Sequence, residues 1–252
     1  MKRILLALLL MGCAVPAWAV DPAPSGVQVT GTSDCCTAYP NFTTSTFTAT
    51  AGRYAILEET HCTQFACSGS YYLSYTDTVT STLGNTVQPC GYTYNNDDTT
   101  VSIWLVELVN GGTESFVLNS KFGSNVFNFE YFITEMTGLA AAQSCTNFNN
   151  AMRPGATTAP SLATSGSVAC GDLVFGYAHS TVSTPTSPTL QLNTAGGSDE
   201  RTGYKIATAS GAATLVWASG SYDPLIVVAS VPGNGCASGG PPPQRMMTGV
   251  GK

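Results

Sequence analysis

Charge is scarce in this chain of 252 residues: Lys and Arg number 9, Asp and Glu 15, and charged residues make up only 10%. The formal net charge is −6, and Lys and Arg nowhere cluster. Nucleic-acid binding needs a basic footprint, so that class of function is excluded. Helical bundles draw on Ala, Glu, Lys, Leu and Arg, and no segment here sustains a 3.6-residue apolar period, which excludes a long bundle. The two histidines, His61 and His179, lie far apart. There is no Gly-x-Ser-x-Gly nucleophile elbow, no Cys-x-x-Cys metal pair and no D-x-[DN]-x-[DN]-G calcium loop. No cofactor is expected.

What is plentiful is small, polar and β-branched. Threonine occurs 34 times and glycine 26 times, while hydrophobic residues reach 43% and aromatics 10%. That hydrophobic content is too high for a disordered chain, and the Thr, Ser, Val and Tyr bias is that of strands. Short apolar or alternating runs recur: Val27–Thr32, Thr44–Thr50, Tyr54–Thr60, Tyr71–Val79, Thr99–Val109, Ser115–Asn119 and Val126–Thr134. After a gap come Val168–Tyr177, Thr189–Leu192, Gly203–Thr208, Ala213–Ala218 and Leu225–Val231. Gly, Asn and Ser clusters separate them, as at Asn110-Gly111-Gly112 and Gly196-Gly197-Ser198. This pattern predicts an all-β fold, an antiparallel β-sandwich. Phe127, Phe129 and Tyr131 share one strand face, opposite Asn128 and Glu130. Val101–Val109 is apolar on both faces, which predicts a strand in the interior of its sheet. Gly138–Ser144 reads as a helical turn or short helix.

The first 19 residues combine Lys2 and Arg3, an apolar core from Ile4 to Met11, and Ala17-Trp18-Ala19, an A-x-A cleavage site. An exported chain is expected, secreted or extracellular. Leu10-Met11-Gly12-Cys13 also resembles a lipobox, so an outer-membrane lipoprotein acylated at Cys13, or a periplasmic protein, is the alternative. Beyond the leader no run is long and apolar enough to span a bilayer as a helix. The organisation expected is a signal peptide (1–19), a short lead (20–25), a single sandwich domain (26–233) and a flexible Gly/Pro-rich tail (234–252). Residues 147–165 read as a long crossover within that domain or a linker that splits it.

Apart from Cys13, the cysteines are Cys35, Cys36, Cys62, Cys67, Cys90, Cys145, Cys170 and Cys236. An even number in an exported chain implies up to four disulfides. Cys62 and Cys67 bracket a short loop and form the expected local pair. Cys145 and Cys170, at the two ends of a Pro/Ala/Thr-rich stretch, form the second. Adjacent Cys35 and Cys36 are expected to bond to two different places, with Cys90 and Cys236 as the remaining partners.

Two groups of segments carry a resemblance. One comprises Leu83-Gly84-Asn85-Thr86, Ser102-Ile103-Trp104, Asn110-Gly111-Gly112 and Thr134–Leu139. The other comprises Cys170–Gly176, Tyr204-Lys205-Ile206-Ala207 and Leu225–Val231. Together they resemble a secreted bacterial β-sandwich module of jelly-roll type and mostly unassigned function. The resemblance spans about Thr44 to Val231. It implies fold and location and brings no catalytic motif; the eight cysteines depart from it.

Four chemistries have candidate residues. Glycan hydrolysis needs two carboxylates at fixed separation. Glu107, Glu130 and Glu135 lie on predicted strands; Glu130 and Glu135 point to opposite faces, while Glu107 could oppose Glu130 only on neighbouring strands. Serine-hydrolase chemistry would need His61 or His179, and both read as loop or strand-edge residues. Calcium would need oxygen ligands such as Asn95, Asn96, Asp97 and Asp98, or Ser198-Asp199-Glu200, but turn formation explains both runs. Sugar stacking would use Tyr71, Tyr72, Tyr75, Tyr92 and Tyr94, a row that equally suits cross-strand pairing.

The expectation is a non-enzymatic extracellular structural, surface or self-assembling protein, with a carbohydrate-binding module as the alternative and a glycan hydrolase last. Beyond the leader the lysines are only Lys121, Lys205 and Lys252, too few to guard strand edges. Self-association is therefore expected through those edges or through Val20–Thr32, read as an extended segment free to move.

Overall fold

The computed structural model describes residues 21–32, 41–62, 76–94, 99–120, 128–139, 143–152, 159–181, 184–186, 188–193, 200–218, 220–233 and 235. Among them there are seventeen strands and no helix. The first ten are β1 (Ala23–Thr32), β2 (Asn41–Thr43), β3 (Phe47–Ala49), β4 (Arg53–Cys62), β5 (Thr76–Ser81), β6 (Thr86–Tyr94), β7 (Thr99–Leu108), β8 (Gly112–Glu114), β9 (Phe116–Ser120) and β10 (Asn128–Thr137). The rest are β11 (Thr146–Met152), β12 (Ser161–Ala163), β13 (Leu173–Thr181), β14 (Leu190–Gln191), β15 (Arg201–Ile206), β16 (Thr214–Val216) and β17 (Gly220–Val231).

Two five-stranded antiparallel sheets dominate, with orders β1-β10-β4-β7-β6 and β11-β17-β13-β15-β14. Side chains from one face of each meet in a common core. Tyr54, Ile56, Val101, Ile103, Leu105, Phe132 and Met136 come from the first sheet; Leu173, Phe175, Tyr177, Leu225, Val227, Ala229 and Val231 come from the second. The period-two alternation then sends the intervening residues to the far faces. Those faces are covered too. Leu57, Trp104, Val106, Phe129 and Ile133 pack under Phe47, Val79, Phe116 and Leu118 of the small sheets β2-β9-β5 and β3-β8. Val174, Ala178, Ile226 and Val228 pack under Leu162, Leu215 and Trp217 of the β12-β16 ribbon. Four layers result, and both faces of β7 are buried, as its sequence predicts.

The chain finishes the first sheet before it starts the second, crossing between them once, after β10. Before that crossing the chain passes back and forth between the first large sheet, which takes β1, β4, β6, β7 and β10, and its cover, which takes β2, β3, β5, β8 and β9. No helix lies in the described part of Gly138–Ser144. The crossover read over 147–165 contains β11 and β12 instead: Asn149, Asn150, Ala151 and Met152 pair with Val228, Val227, Ile226 and Leu225.

The N-terminal segment is not free over its described part. From Ala23 it is the edge strand of the first sheet, paired with β10 from Ala23↔Thr137 to Thr32↔Glu130. Nor are the edges unguarded. β1 carries Pro24 and a bulge before Gln28, and β6 carries Pro89 and a bulge before Gly91. β11 is bulged between Thr146 and Asn149, where Asn147 adopts φ 52°, and the fourth edge, β14, is only two residues long. Proline and bulges block a second strand where lysine would otherwise be needed.

Candidate functional site

The seam between the two large sheets holds polar groups that a dry core does not require. Glu58 follows Tyr54 and Ile56 at two-residue steps on β4, so it points into the seam. Its cross-strand neighbours are Ile103 and Phe132. The side chain is fully buried, and neither carboxylate oxygen has a hydrogen-bond partner. Burial alone pushes the carboxyl well above the usual carboxylate range, in favour of its neutral form. Thr134, on the same face of β10, is also buried with its hydroxyl unpartnered. Thr60, one step beyond Glu58, hydrogen-bonds across the seam to the Tyr177 hydroxyl. The Tyr177 ring lies 5.5 Å from that of Phe132. Tyr177 therefore closes over the Glu58 position from the opposite sheet. Further along β13, His179 Nδ1 lies 3.1 Å from Glu200 Oε1.

Three other buried acids, Glu59, Glu114 and Glu135, each accept hydrogen bonds. Glu59, on the reverse face of β4, receives Thr76 Oγ1 at 2.9 Å and Trp104 Nε1 at 3.1 Å, and Ser102 Oγ as well. Glu114 holds the turn after β5 through Thr82 N at 2.9 Å, Thr82 Oγ1 at 2.8 Å and Asn85 Nδ2 at 2.6 Å. Burial pushes the Glu114 carboxyl up, but hydrogen bonds from Ser81, Thr82, Asn85 and Ser115 outweigh it and hold the group below its ordinary value. Glu135 accepts Arg53 Nη1 and, at 3.0 Å, Thr50 N.

The residues singled out from sequence do not converge on one site. β4 separates β7 from β10, so Glu107 and Glu130 are not on neighbouring strands; Glu107 pairs with Tyr54 and Glu130 with Thr60, at opposite ends of β4. Glu135 faces away from Glu130 and is bound by Arg53. No hydrolytic acid pair exists among these three. His61 pairs through its backbone with Thr100 and Phe129; its side chain lies outside the described residues. Tyr92 is 46% exposed on β6. Tyr71, Tyr72 and Tyr75, the Tyr94 side chain, Asn95–Asp98, Ser198 and Asp199 lie outside the described residues. Among those described, no group of three His, Cys, Asp or Glu could hold a metal ion.

Cys90 is disulfide-bonded to Cys145, with a Cα separation of 5.1 Å. This corrects the expected pairing of Cys145 with Cys170 and of Cys90 with Cys35 or Cys36. The bond ties edge strand β6 of the first sheet to the start of the second, at the single crossing. Cys170 is also disulfide-bonded. Cys35, Cys36, Cys67 and Cys236, and the Cys62 side chain, lie outside them too.

Sequence reasoning missed Glu58. The available signal is Glu58-Glu59 inside an otherwise apolar strand: adjacent acids must point to opposite faces, and here both faces are buried. No family model, no curated protein and no solved structure matches this chain.

Proposed function

We propose that the protein is an exported, non-enzymatic component of a cell surface or extracellular matrix. One observation carries this reading: the inner strands β4, β7, β10, β13 and β17 are buried on both faces along most of their length. A glycan-active sandwich needs an open concave sheet face as the floor of its groove, and these strands offer none. Of the candidate carboxylates, Glu135 is taken up by Arg53 and Thr50, and Glu107 and Glu130 lie at opposite ends of β4. The leader-like first 19 residues and the cross-links fit an oxidising destination, as does the resemblance to secreted bacterial sandwich modules. Guarded edges favour display of folded units over strand-to-strand polymerisation.

Carbohydrate binding is the second reading, favoured by Tyr92, an exposed aromatic on an edge strand. Purified oxidised protein applied to a glycan array, and incubated with polysaccharides under reducing-sugar assay, separates these readings. The surface-component reading expects neither saturable binding nor turnover, together with recovery of the protein in the cell-surface or matrix fraction. Saturable binding lost in Tyr92→Ala would replace it with the binding module. Turnover of any polysaccharide would sink both.

A further inference from the structure

Glu58 is the one buried acid described above that nothing binds. A carboxyl without a partner in an apolar seam is a standing cost to the fold, tolerable only while it stays neutral. We propose that Glu58 is a proton-operated latch on the seam between the two five-stranded sheets, closed when the acid is neutral and forced to admit water when it ionises.

The surroundings give an ionised Glu58 no relief. Along β4 its neighbours on this face are Ile56 and Thr60; across from it are Ile103 of β7 and Phe132 of β10. From the second sheet come Phe175 and Tyr177 of β13 and Leu225 and Val227 of β17. Among the described side chains, the titratable groups on this face are Tyr54 on β4, Glu107 on β7, Glu130 on β10, Tyr177 and His179 on β13, and Glu200 and Tyr204 at β15. Lys205 and Arg201 pair with Val174 and Ala178, whose side chains face the far layer, and Arg53 is bound to Glu135 on the reverse of the first sheet. Among the described residues, then, no Lys or Arg faces Glu58, and the imidazole on its face is engaged by Glu200. The polar groups described on this face beside it are the Thr134 hydroxyl, itself unpartnered, and the Thr60–Tyr177 bond that crosses the seam. An anion at Glu58 would draw these donors and water toward itself, at the expense of that crossing contact.

The sign follows from linkage. The folded protein holds the Glu58 proton more tightly than the unfolded chain does. The closed state is therefore fully favoured below the ordinary carboxylate range and loses ground as pH rises through the window above it. Within that window this one group raises the unfolding constant up to about tenfold per pH unit.

Urea denaturation of the full oxidised chain across acid to alkaline pH, on wild type and Glu58→Gln, tests this. Gln is the same size and cannot ionise. The difference between the two stability curves is expected to grow with pH by up to about tenfold in the unfolding constant per unit until Glu58 is ionised in both states. Parallel curves overturn the proposal. If Glu58→Gln does not fold, infrared spectroscopy of wild type labelled with carboxyl-¹³C glutamate decides. A neutral carboxylic-acid carbonyl band must persist in the folded protein above the ordinary carboxylate range and vanish at higher pH together with a gain in amide exchange in β4 and β13. Loss of the band within the ordinary carboxylate range overturns the latch.

Discussion

Replacing both Cys90 and Cys145 by alanine removes the bond that joins the two large sheets at their single crossing. The bridged residues are 55 apart in sequence. Closing a loop of that length in the unfolded chain removes entropy equivalent to about 4 kcal/mol at room temperature. That value is a ceiling, because residual structure in the unfolded chain lowers the gain actually realised. A loss of about 2–4 kcal/mol is expected, corresponding to roughly 5–15 °C in melting temperature for a chain of this size. Guanidinium denaturation of the oxidised double variant against wild type measures it. The slope of the transition reports a second quantity: a less constrained unfolded state exposes more surface, so the slope should steepen. A loss under about 1 kcal/mol with an unchanged slope would refute the assignment of this bond as the principal clamp between the sheets.

Glu114→Ala strands the donors of Ser81, Thr82, Asn85 and Ser115 and should cost about 3 kcal/mol near neutrality in urea titrations. Because the Glu114 carboxyl is held low in the folded state, its contribution is present above the ordinary carboxylate value. It is lost as pH falls, so the gap between variant and wild type should close in acid. Gly176→Ala would place a methyl 2.5 Å from the Val227 carbonyl oxygen and 2.9 Å from a Leu215 methyl; thermal melts should show a loss of at least about 2 kcal/mol. Arg53→Ala leaves the buried Glu135 without its cation and should cost about 2 kcal/mol, and adding Glu135→Gln should recover part of it in a double-mutant cycle.

Strands were legible where side chains alternate or saturate. Phe129 and Tyr131 do share a buried face, and Val101–Leu108 is buried on both sides. β11 was hidden because Asn147, Asn149 and Asn150 look like loop. Its strand character comes from pairing with β17 and from ties such as Asn149 Nδ2 to the Ala163 carbonyl at 2.8 Å, neither of which is local. β1 was hidden in part because Pro24 reads as a break, and it is tolerated on an edge where no ladder N–H is missed. Cysteine pairing is set by which strands become neighbours, and the sequence does not carry that order. Glu58 escaped for the same reason: its burial depends on a second sheet contributed by the other end of the chain.

The single crossing between the large sheets also orders events in time. A chain delivered N-terminus first presents β1 long before its partner β10, since Gln28 must wait for Thr134. Everything β10 needs on its other side, from β4 through β7, has by then been delivered. The first sheet and its covering layer are complete at Thr137, before any strand of the second has emerged. The face carrying Ile56, Ile103 and Phe132 is then bare and adhesive until β13 and β17 arrive. β17 is the last of the described strands and lies between β11 and β13. Interruption between β10 and β17 leaves half a molecule, well formed on one side and sticky on the other.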